Sequence, residues 1–309
     1  MTSDYHDLVI LGGGPAGLTA GLYAARSRLD VVLVESKACG GQLNTYEDVE
    51  NYPGFPEGIK ASELVQRMMD QAISFGLNII KDRAVSVGIN PDKSEITIEL
   101  NKHEIRCKAM VIATGAHARK IDVEGEERLT GKGVSYCATC DGAFFEDCII
   151  SVVGGGDQAV EEAIYLTNFG RQVNIIHRRN ELRATRVIQE RAFNNPKIKF
   201  IWDTVVTDIH GDELVDQVTL KNLKTGDISR MATDSVFIFV GTLPSSDFLN
   251  NIVSMDSEGF IIVNKEMETN IPGVYACGDV VGKRLRQIST AVGEGATAAF
   301  NAGKYLEFL

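Results

Sequence analysis

Two cysteines at redox spacing stand in the run Cys137-Ala138-Thr139-Cys140-Asp141. Three positions apart on a helical turn, the sulfurs lie on one face and can close a small ring. A helix N-terminus would favour their thiolate form. Asp141 follows directly, where it can exchange a proton with the thiols or serve as a helix-start carboxylate. The pattern predicts a redox dithiol with Cys137, Cys140 and Asp141 as catalytic residues.

The same spacing also occurs as one half of a zinc site, which would need a second pair of ligands. The other four cysteines are scattered along the chain, and the five histidines form no close pair at ligand spacing. Six cysteines in 309 residues are also too few for a disulfide scaffold. We therefore expect no metal and no structural disulfide framework.

A glycine-rich turn after an apolar run occurs twice in the chain, at Gly12–Gly17 and at Gly154–Ala159. In each copy an Ala-rich helical stretch follows the turn, and a second apolar run comes about twenty residues on. Each copy is therefore typical of a strand, turn, helix and strand. The duplication predicts an α/β fold of two Rossmann-like, FAD/NAD(P)-binding domains of the three-layer ββα type.

The region from Asp247 onward supplies one helix-like stretch, which is too little for a third domain. We expect it to complete the first domain, because a chain of this length usually divides into two cores. The prediction is a dinucleotide-binding domain at 1–116 and 247–309, with an NADPH-binding domain carrying the dithiol inserted at 117–246. The crossings near Ala116 and Pro244 are candidate hinges.

The first glycine turn has the spacing of a dinucleotide fingerprint. Gly12 allows the tight turn, Gly14 lets the backbone approach a pyrophosphate, and Gly17 permits close packing of helix on strand. Glu35 ends the second strand, where its carboxylate can accept hydrogen bonds from a ribose or simply be solvated. The residues predicted to bind this dinucleotide are Gly12, Gly14, Pro15, Ala16, Gly17 and Glu35.

The second copy carries His177-Arg178-Arg179 after its second strand, with Arg183 one turn further. Guanidinium groups make bidentate bonds to phosphate, whereas a carboxylate would repel it, so the pattern favours NADPH over NADH. A solvated basic turn is the alternative. The predicted NADPH residues are Gly154, Gly156, Asp157, Gln158, Ala159, His177, Arg178, Arg179 and Arg183.

A formal net charge of -11 opposes nonspecific binding to nucleic acid or to an acidic membrane surface. The N-terminal residues have no basic and apolar leader pattern, and no apolar run is long enough to span a bilayer. We expect a cytoplasmic protein with no nucleic-acid or membrane partner.

Several motifs together are more specific than a glycine fingerprint. They are Cys-Ala-Thr-Cys-Asp-Gly at 137–142, Gly40-Gly41-Gln42-Leu43, Glu50-Asn51-Tyr52-Pro53-Gly54, the cluster from His177 to Arg183, and Gly278-Asp279 followed by Arg286-Gln287. With them the whole chain resembles the low-molecular-weight thioredoxin reductases. The resemblance implies FAD, NADPH, a homodimer, and further FAD residues at Gly41, Gln42, Leu43, Asn51, Asp279, Arg286, Gln287 and Ile288.

The resemblance also assigns separate tasks to the sulfurs. Cys140 would lie next to the flavin, and Cys137 would attack the disulfide of thioredoxin. Lys132, Phe144 and Phe145 are candidate contacts for that partner, although either phenylalanine could instead belong to the core. One departure is Leu243-Pro244-Ser245-Ser246, where relatives often carry Pro-Asn-Thr, which puts local contacts at that hinge in doubt.

Other functions are compatible with parts of the pattern. A reductase serving a peroxiredoxin would be expected to carry an extra thioredoxin-like domain, and we expect none, because seven residues precede the first predicted strand. A reductase serving a glutaredoxin-like protein stays open. Ferredoxin reductases of similar fold lack the C-x-x-C. A flavin-binding redox sensor would leave the dithiol idle.

Overall fold

The computed structural model describes residues 5–45, 48–90, 95–249 and 252–309, which form two compact units. The first unit contains the described residues up to His117 and from Leu243 onward. The second unit runs from Ala118 to Thr242. The chain passes between them through two short strands, so the first unit is discontinuous in sequence.

The first unit is built on a seven-stranded sheet. The elements of this unit and of the crossings are β1 (Tyr5–Leu11), α1 (Pro15–Arg26), β2 (Val31–Glu35), β3 (Asp48–Val49), β4 (Ile59–Lys60), α2 (Ala61–Ser74), β5 (Asn78–Lys81), β6 (Ala84–Asn90), β7 (Glu95–Leu100), β8 (Glu104–Ile112), β9 (Ala116–Ala118), β18 (Thr242–Pro244), β19 (Val274–Ala276) and α6 (Ile288–Glu307). In the sheet, strands β5, β2, β1 and β8 lie side by side in parallel, and β19 is also parallel to β8. Strands β6 and β7 extend the sheet as an antiparallel meander.

Alternate residues of β1 face two separate cores. Leu8 and Ile10 pack among apolar residues of the helices α1 and α6. Val9 and Leu11 pack on the opposite face, against residues of β6, β7 and β8. A strand covered on both faces needs a nearly continuous apolar sequence, which is why Leu8–Leu11 lacks the alternation of a half-exposed strand.

Helices α1 and α6 approach each other closely at a glycine. A Cβ on Gly295 of α6 would overlap the backbone carbonyl oxygen of Ala16 in α1. The absence of a side chain there lets α6 lie directly on the first turn of α1. None of the described helices combines the length and apolar character needed to cross a lipid bilayer.

The elements of the second unit are β10 (Val134–Ser135), α3 (Ala138–Asp141), β11 (Ile149–Val153), α4 (Asp157–Leu166), β12 (Gln172–Ile176), α5 (Arg186–Phe193), β13 (Ile198–Ile201), β14 (Thr204–His210), β15 (Gln217–Asn222), β16 (Ile228–Ala232) and β17 (Ser235–Ile238). This unit contains a five-stranded parallel sheet in the order β10, β17, β11, β12, β13. It also contains a three-stranded antiparallel sheet in the order β14, β15, β16.

The two units repeat the same local arrangement. In the first, Gly12 N–H donates to Val34 O at 2.9 Å, and in the second, Gly154 N–H donates to Ile176 O at 3.1 Å. Each glycine turn therefore starts beside the end of the second strand and leads into a helix. The α/β fold predicted from the repeated strand, turn and helix pattern is confirmed.

Replacing Gly295 with Ala should destabilise the first unit by about 2 kcal/mol or more, because the new methyl group has to displace backbone of α1. Gly293 is the matched control, since it lies in the same helix with open space where a Cβ would stand. Gly293→Ala should be neutral or stabilising by up to about 1 kcal/mol. Urea unfolding followed by circular dichroism measures both, and equal midpoints for the two variants would contradict the packing described.

Candidate functional site

Cys137 and Cys140 form a disulfide at the start of α3. Cys137 is the residue that precedes the helix, and its sulfur accepts a hydrogen bond from Cys140 N–H at 3.2 Å. Ala138 between them is buried in the core of the second unit, which anchors the turn. Since the sulfurs are bonded to each other, neither can act as a metal ligand in this state. No group of three or more His, Cys, Asp or Glu side chains in the described ranges is arranged to hold a metal ion.

Asp141 lies behind the disulfide as the last residue of α3 and is largely buried. Burial raises the pKa of its carboxyl, and a hydrogen bond from the Ser135 hydroxyl to Oδ2, at 2.6 Å, opposes part of that rise. A carboxyl with a raised pKa holds its proton to higher pH, which suits a general acid next to a sulfur that leaves as thiolate. The structure therefore groups the three predicted catalytic residues within one turn of helix.

The first glycine turn has the form that a dinucleotide phosphate needs. Gly12 has a φ of +106°, and a Cβ on Gly17 would overlap the Gly12 carbonyl oxygen. A Cβ on Gly14 would meet nothing within 4 Å, so this side of the turn is open. Pro15 and Ala16 begin α1 directly behind it. Glu35 accepts a hydrogen bond from Gly13 N–H at 2.7 Å, which holds the carboxylate against the turn.

The remaining predicted FAD residues meet in pairs near this turn. Gln42 donates to Asp279 Oδ2 at 3.0 Å, and Asn51 donates to Gln287 Oε1 at 3.0 Å. Gly41, with a φ of +57°, brings the chain beside Gly14. Leu43 packs in a small core with Ile288, the first residue of α6. Residues that are far apart in the sequence therefore come together on one side of the first unit.

Two buried polar atoms of this group have no hydrogen-bond partner within the described chain. They are Asp279 Oδ1 and Arg286 Nε. The Arg286 guanidinium lies over the Phe260 ring at 4.5 Å, and burial raises the pKa of Asp279. Buried polar groups nearly always form hydrogen bonds, so these two atoms are suited to bind a polar ligand that supplies the missing partners. Together with the open Gly14 turn, they fit the hydroxyl-rich and phosphate-rich chain of FAD.

The second glycine turn repeats the open geometry. Gly154 has a φ of +150°, its Cβ would overlap the Phe239 carbonyl oxygen, and Gly156 has nothing within 4 Å of a Cβ position. Asp157 begins α4 and accepts a hydrogen bond from Thr185 N–H at 2.7 Å, which fixes the segment after the arginines. Gln158 is exposed in the first turn of α4, and Ala159 is buried beneath Gly154.

His177 occupies the position that Glu35 has in the first unit, one residue after the strand residue that accepts from the glycine turn. Its ring lies against Gly155, where a Cβ would overlap it, and Nε2 is buried with no hydrogen bond inside the described chain. Burial lowers the pKa of His177, and the charges of Arg183, Arg179 and Arg178 lower it further. The imidazole is therefore neutral at pH 7 and belongs to the base of the turn.

Unlike the buried His177, the three arginines have exposed side chains. Arg183 N–H donates to Gly155 O at 2.7 Å, which places it beside the glycine turn. Arg179 O accepts from Asp203 N–H at 3.1 Å, next to the end of β13. The cluster is positioned by backbone hydrogen bonds, and its guanidinium groups remain available to an anion.

Comparison with known proteins agrees with this geometry. Residues 6–295 match the pyridine nucleotide-disulphide oxidoreductase family. Over 308 residues the chain is 45% identical to a thioredoxin reductase of Peptoclostridium acidaminophilum, covering 98% of this chain and 97% of that protein. It is 44% identical over 305 residues to the thioredoxin reductase of Bacillus subtilis, covering 98% and 96%. The crystal structure of thioredoxin reductase from Streptococcus pyogenes superposes with a TM-score of 0.94 at 46% identity, covering 100% of both chains.

The chain belongs to the thioredoxin reductases. In this reductase the candidate partner residues have different environments. Phe144 and Lys132 are exposed, whereas Phe145 packs edge-on against Phe237 with ring centroids 5.7 Å apart. The exposed Phe144 remains a candidate contact. Phe145 is half-buried and packs against the core of the second unit.

Ser135 and Glu126 are buried polar residues of the second unit, and nothing in the sequence marks them. Ser135 forms hydrogen bonds with Cys137 N–H and with Asp141, in the redox turn from Cys137 to Asp141. Glu126 accepts hydrogen bonds from Asp122 N–H at 2.7 Å and from the hydroxyl of Tyr136, the residue before Cys137, at 2.8 Å. Burial and this carboxylate raise the pKa of Tyr136. Glutamate and serine are common surface residues, so only their burial and their hydrogen bonds identify them.

The four remaining cysteines of the reductase should be poorly reactive in the native state. Burial raises the pKa of Cys107 and of Cys277 to about 12, and the pKa values of Cys39 and Cys148 are also raised. In oxidised protein at pH 7, an aromatic disulfide reagent should therefore react slowly, with at most Cys39 and Cys148. Unfolding without reductant should release four thiols, and unfolding after reduction should release six. Six thiols without reductant would contradict the disulfide.

Proposed function

We propose that the chain is an NADPH-dependent thioredoxin reductase. It would pass reducing equivalents from NADPH through FAD and the Cys137–Cys140 disulfide to oxidised thioredoxin. The observation that carries the proposal is the disulfide at the start of α3, followed in the same helical turn by Asp141, whose half-buried carboxyl has a raised pKa. A cytoplasmic location, expected from the sequence, and a homodimer, implied by the family resemblance, are part of the same proposal.

FAD would be held by the first unit. The open turn at Gly14 would receive its pyrophosphate at the N-terminus of α1, and Glu35 would accept hydrogen bonds from a ribose. Asp279 and Arg286 would pair with it through the two buried atoms that otherwise lack partners. When bound, FAD would take a hydride equivalent from NADPH and supply two electrons to the disulfide.

NADPH would be held by the second unit. The Gly154 to Gly156 turn would receive its pyrophosphate at the start of α4, and the exposed arginines would bind the 2′-phosphate. Neutral, buried His177 stands where the first unit has a carboxylate, so the residue at this position would not repel the phosphate. This difference between the two glycine turns supports a preference for NADPH over NADH.

The sulfurs and Asp141 would have separate tasks. By family resemblance, Cys140 exchanges electrons with the flavin and Cys137 attacks the disulfide of thioredoxin. Asp141 would protonate a thiolate that leaves when the S–S bond opens, because its raised pKa keeps a fraction of the carboxyl protonated. Exposed Phe144 and Lys132 would contribute to thioredoxin docking.

The dithiol and the NADPH residues belong to the same unit, and the FAD residues belong to the other. Both the dithiol and the nicotinamide must reach one flavin, and the dithiol must also reach a protein partner. One rigid arrangement cannot serve all three contacts, so we infer that the second unit rotates about the crossings near Ala116 and Pro244 during turnover.

Changing Cys140 to Ser tests the order of electron transfer. On anaerobic addition of NADPH, the flavin of Cys140→Ser should still be reduced, while thioredoxin should not, because the disulfide that connects them is gone. Flavin absorbance and thioredoxin thiol release measure the two steps. Cys148→Ser, which removes a free thiol in the same unit, is the control and should behave as the original protein. Normal thioredoxin reduction by Cys140→Ser would overturn the proposed order.

Removing the phosphate-binding charges tests the coenzyme preference. In Arg178→Ala with Arg179→Ala, KM for NADPH should rise by roughly 10- to 100-fold, because charge-assisted bonds to the 2′-phosphate are lost. KM for NADH should stay nearly the same. Arg230→Ala, an exposed arginine on β16, is the control. Steady-state kinetics with both coenzymes and added thioredoxin decide the matter, and equal losses for NADPH and NADH would contradict the assignment.

A further inference from the structure

Ser135 connects the first cysteine to the buried acid. It is buried in the last position of β10, two residues before Cys137. Its hydroxyl oxygen accepts a hydrogen bond from Cys137 N–H at 3.1 Å, and the hydroxyl donates to Asp141 Oδ2 at 2.6 Å. The Cys137 carbonyl oxygen is also within 3.3 Å. Because a hydroxyl has one proton, the short contact to the carboxylate is the bond that it donates.

The position of this hydroxyl is set by the sheet and not by the redox turn. Ser135 pairs in parallel with Phe237 of β17, and Val134 pairs with Val236. Within the described part of the chain, no other side chain donates a hydrogen bond to the Asp141 carboxylate. The serine thus connects the backbone of Cys137 and the carboxyl of Asp141 to one strand of the sheet.

We propose that Ser135 is a positioning residue for disulfide reduction, which holds the Asp141 carboxyl in place and sets the pH range over which it gives up its proton. The inference rests on the proposed function for its catalytic meaning. The geometry of the hydrogen bonds stands independently of that function. Ser135 itself does not exchange a proton with sulfur, and it acts through Asp141.

Ser135 would act on the proton transfer through Asp141. When bound, reduced flavin would supply the two electrons that break the S–S bond, and the proton that it loses would pass to solvent, so two thiolates would result. One thiolate takes the proton of Asp141, so one thiol and one carboxylate form, and the other thiolate remains available as a nucleophile. The Ser135 hydroxyl then donates to a charged acceptor, which strengthens its hydrogen bond at the step where the negative charge develops.

Few charged side chains face Asp141, apart from the thiolates that form when the disulfide is reduced. The short turn after α3, residues 142–145, has no charged side chain, and neither does β10. Helix α4, which packs on α3, carries Asp157, Glu161 and Glu162. Asp157 accepts from Thr185 N–H, and burial followed by the charge of Glu161 raises the pKa of Glu162. Burial of Asp141 and the hydrogen bond from Ser135 are the two influences found on its own pKa.

The direction of the effect follows from the hydrogen bond. A donor to the carboxylate favours its charged form, so removing the hydroxyl should raise the pKa of Asp141. In Ser135→Ala, the maximal rate of disulfide reduction, on the plateau below the alkaline limb, should fall about tenfold, because the carboxyl is less well placed. The alkaline limb of the pH profile should move to higher pH. Ser151→Ala is the matched control, since Ser151 is also buried and hydrogen-bonded in this unit but lies away from Asp141.

The experiment uses the FAD-loaded protein and has two measurements. The first is the rate of disulfide reduction across pH, followed by flavin absorbance after rapid anaerobic mixing with NADPH. The second is the titration of Asp141 in the oxidised protein by carbon-13 NMR of labelled aspartate carboxyls, with Asp141→Asn identifying the signal. The inference holds when both midpoints move upward in Ser135→Ala and stay in place in Ser151→Ala.

A purely structural role predicts a different result. In that case Ser135→Ala lowers the rate equally at every pH and leaves the Asp141 titration unchanged, which overturns the inference. Should Ser135→Ala not fold, Ser135→Thr and Ser135→Val replace it, because threonine and valine have nearly the same shape and differ in the hydroxyl. Threonine should restore the original midpoint and valine should not. If both behave alike, the inference is wrong.

The two proposals fail separately. Should NADPH fail to reduce the disulfide of the original protein, the proposed function falls, while the NMR titration still measures the effect of Ser135 on Asp141. Conversely, the original protein could reduce thioredoxin normally while the Asp141 titration midpoint is the same in Ser135→Ala. That result would overturn only the role of the serine.

Discussion

Both units depend on a glycine whose missing Cβ leaves room for a backbone carbonyl oxygen. Gly17 lies on the Gly12 carbonyl, and Gly154 lies on the Phe239 carbonyl. Any side chain at these positions would push the helix away from the edge of the parallel sheet. With glycine, the helix N-terminus comes to that edge, and its free N–H groups and positive end of the dipole face an open turn.

The two glycine turns differ at the end of the next strand. In the first unit the strand ends in a carboxylate that bonds to the turn, whereas the second unit has a neutral histidine packed against Gly155. In the proposed function, the carboxylate would accept hydrogen bonds from a ribose, whereas the uncharged ring would not repel a phosphate. One position would then separate two binding preferences on one scaffold.

The redox turn depends on a balance between burial and hydrogen bonding. Burial of Asp141 favours its protonated form, and the hydrogen bond from Ser135 favours its charged form. In the proposed function, Asp141 would both hold and release a proton, and the two opposing influences would suit that task. Because Ser135 lies in a strand and Asp141 in a single helical turn, the balance depends on the sheet of the second unit as well as on the local sequence.

The sequence by itself determined the α/β fold, its repeated strand and glycine turn, and the cysteine pair, because these patterns are local. Spacing of apolar residues and the conformational freedom of glycine act over a few residues, so they can be recognised without coordinates. The tertiary structure decided what depends on neighbours distant in the chain. It paired Gln42 with Asp279 and buried His177 beneath Gly155. It also packed Phe145 on Phe237 and left Phe144 exposed, a difference between adjacent identical residues that only burial can create.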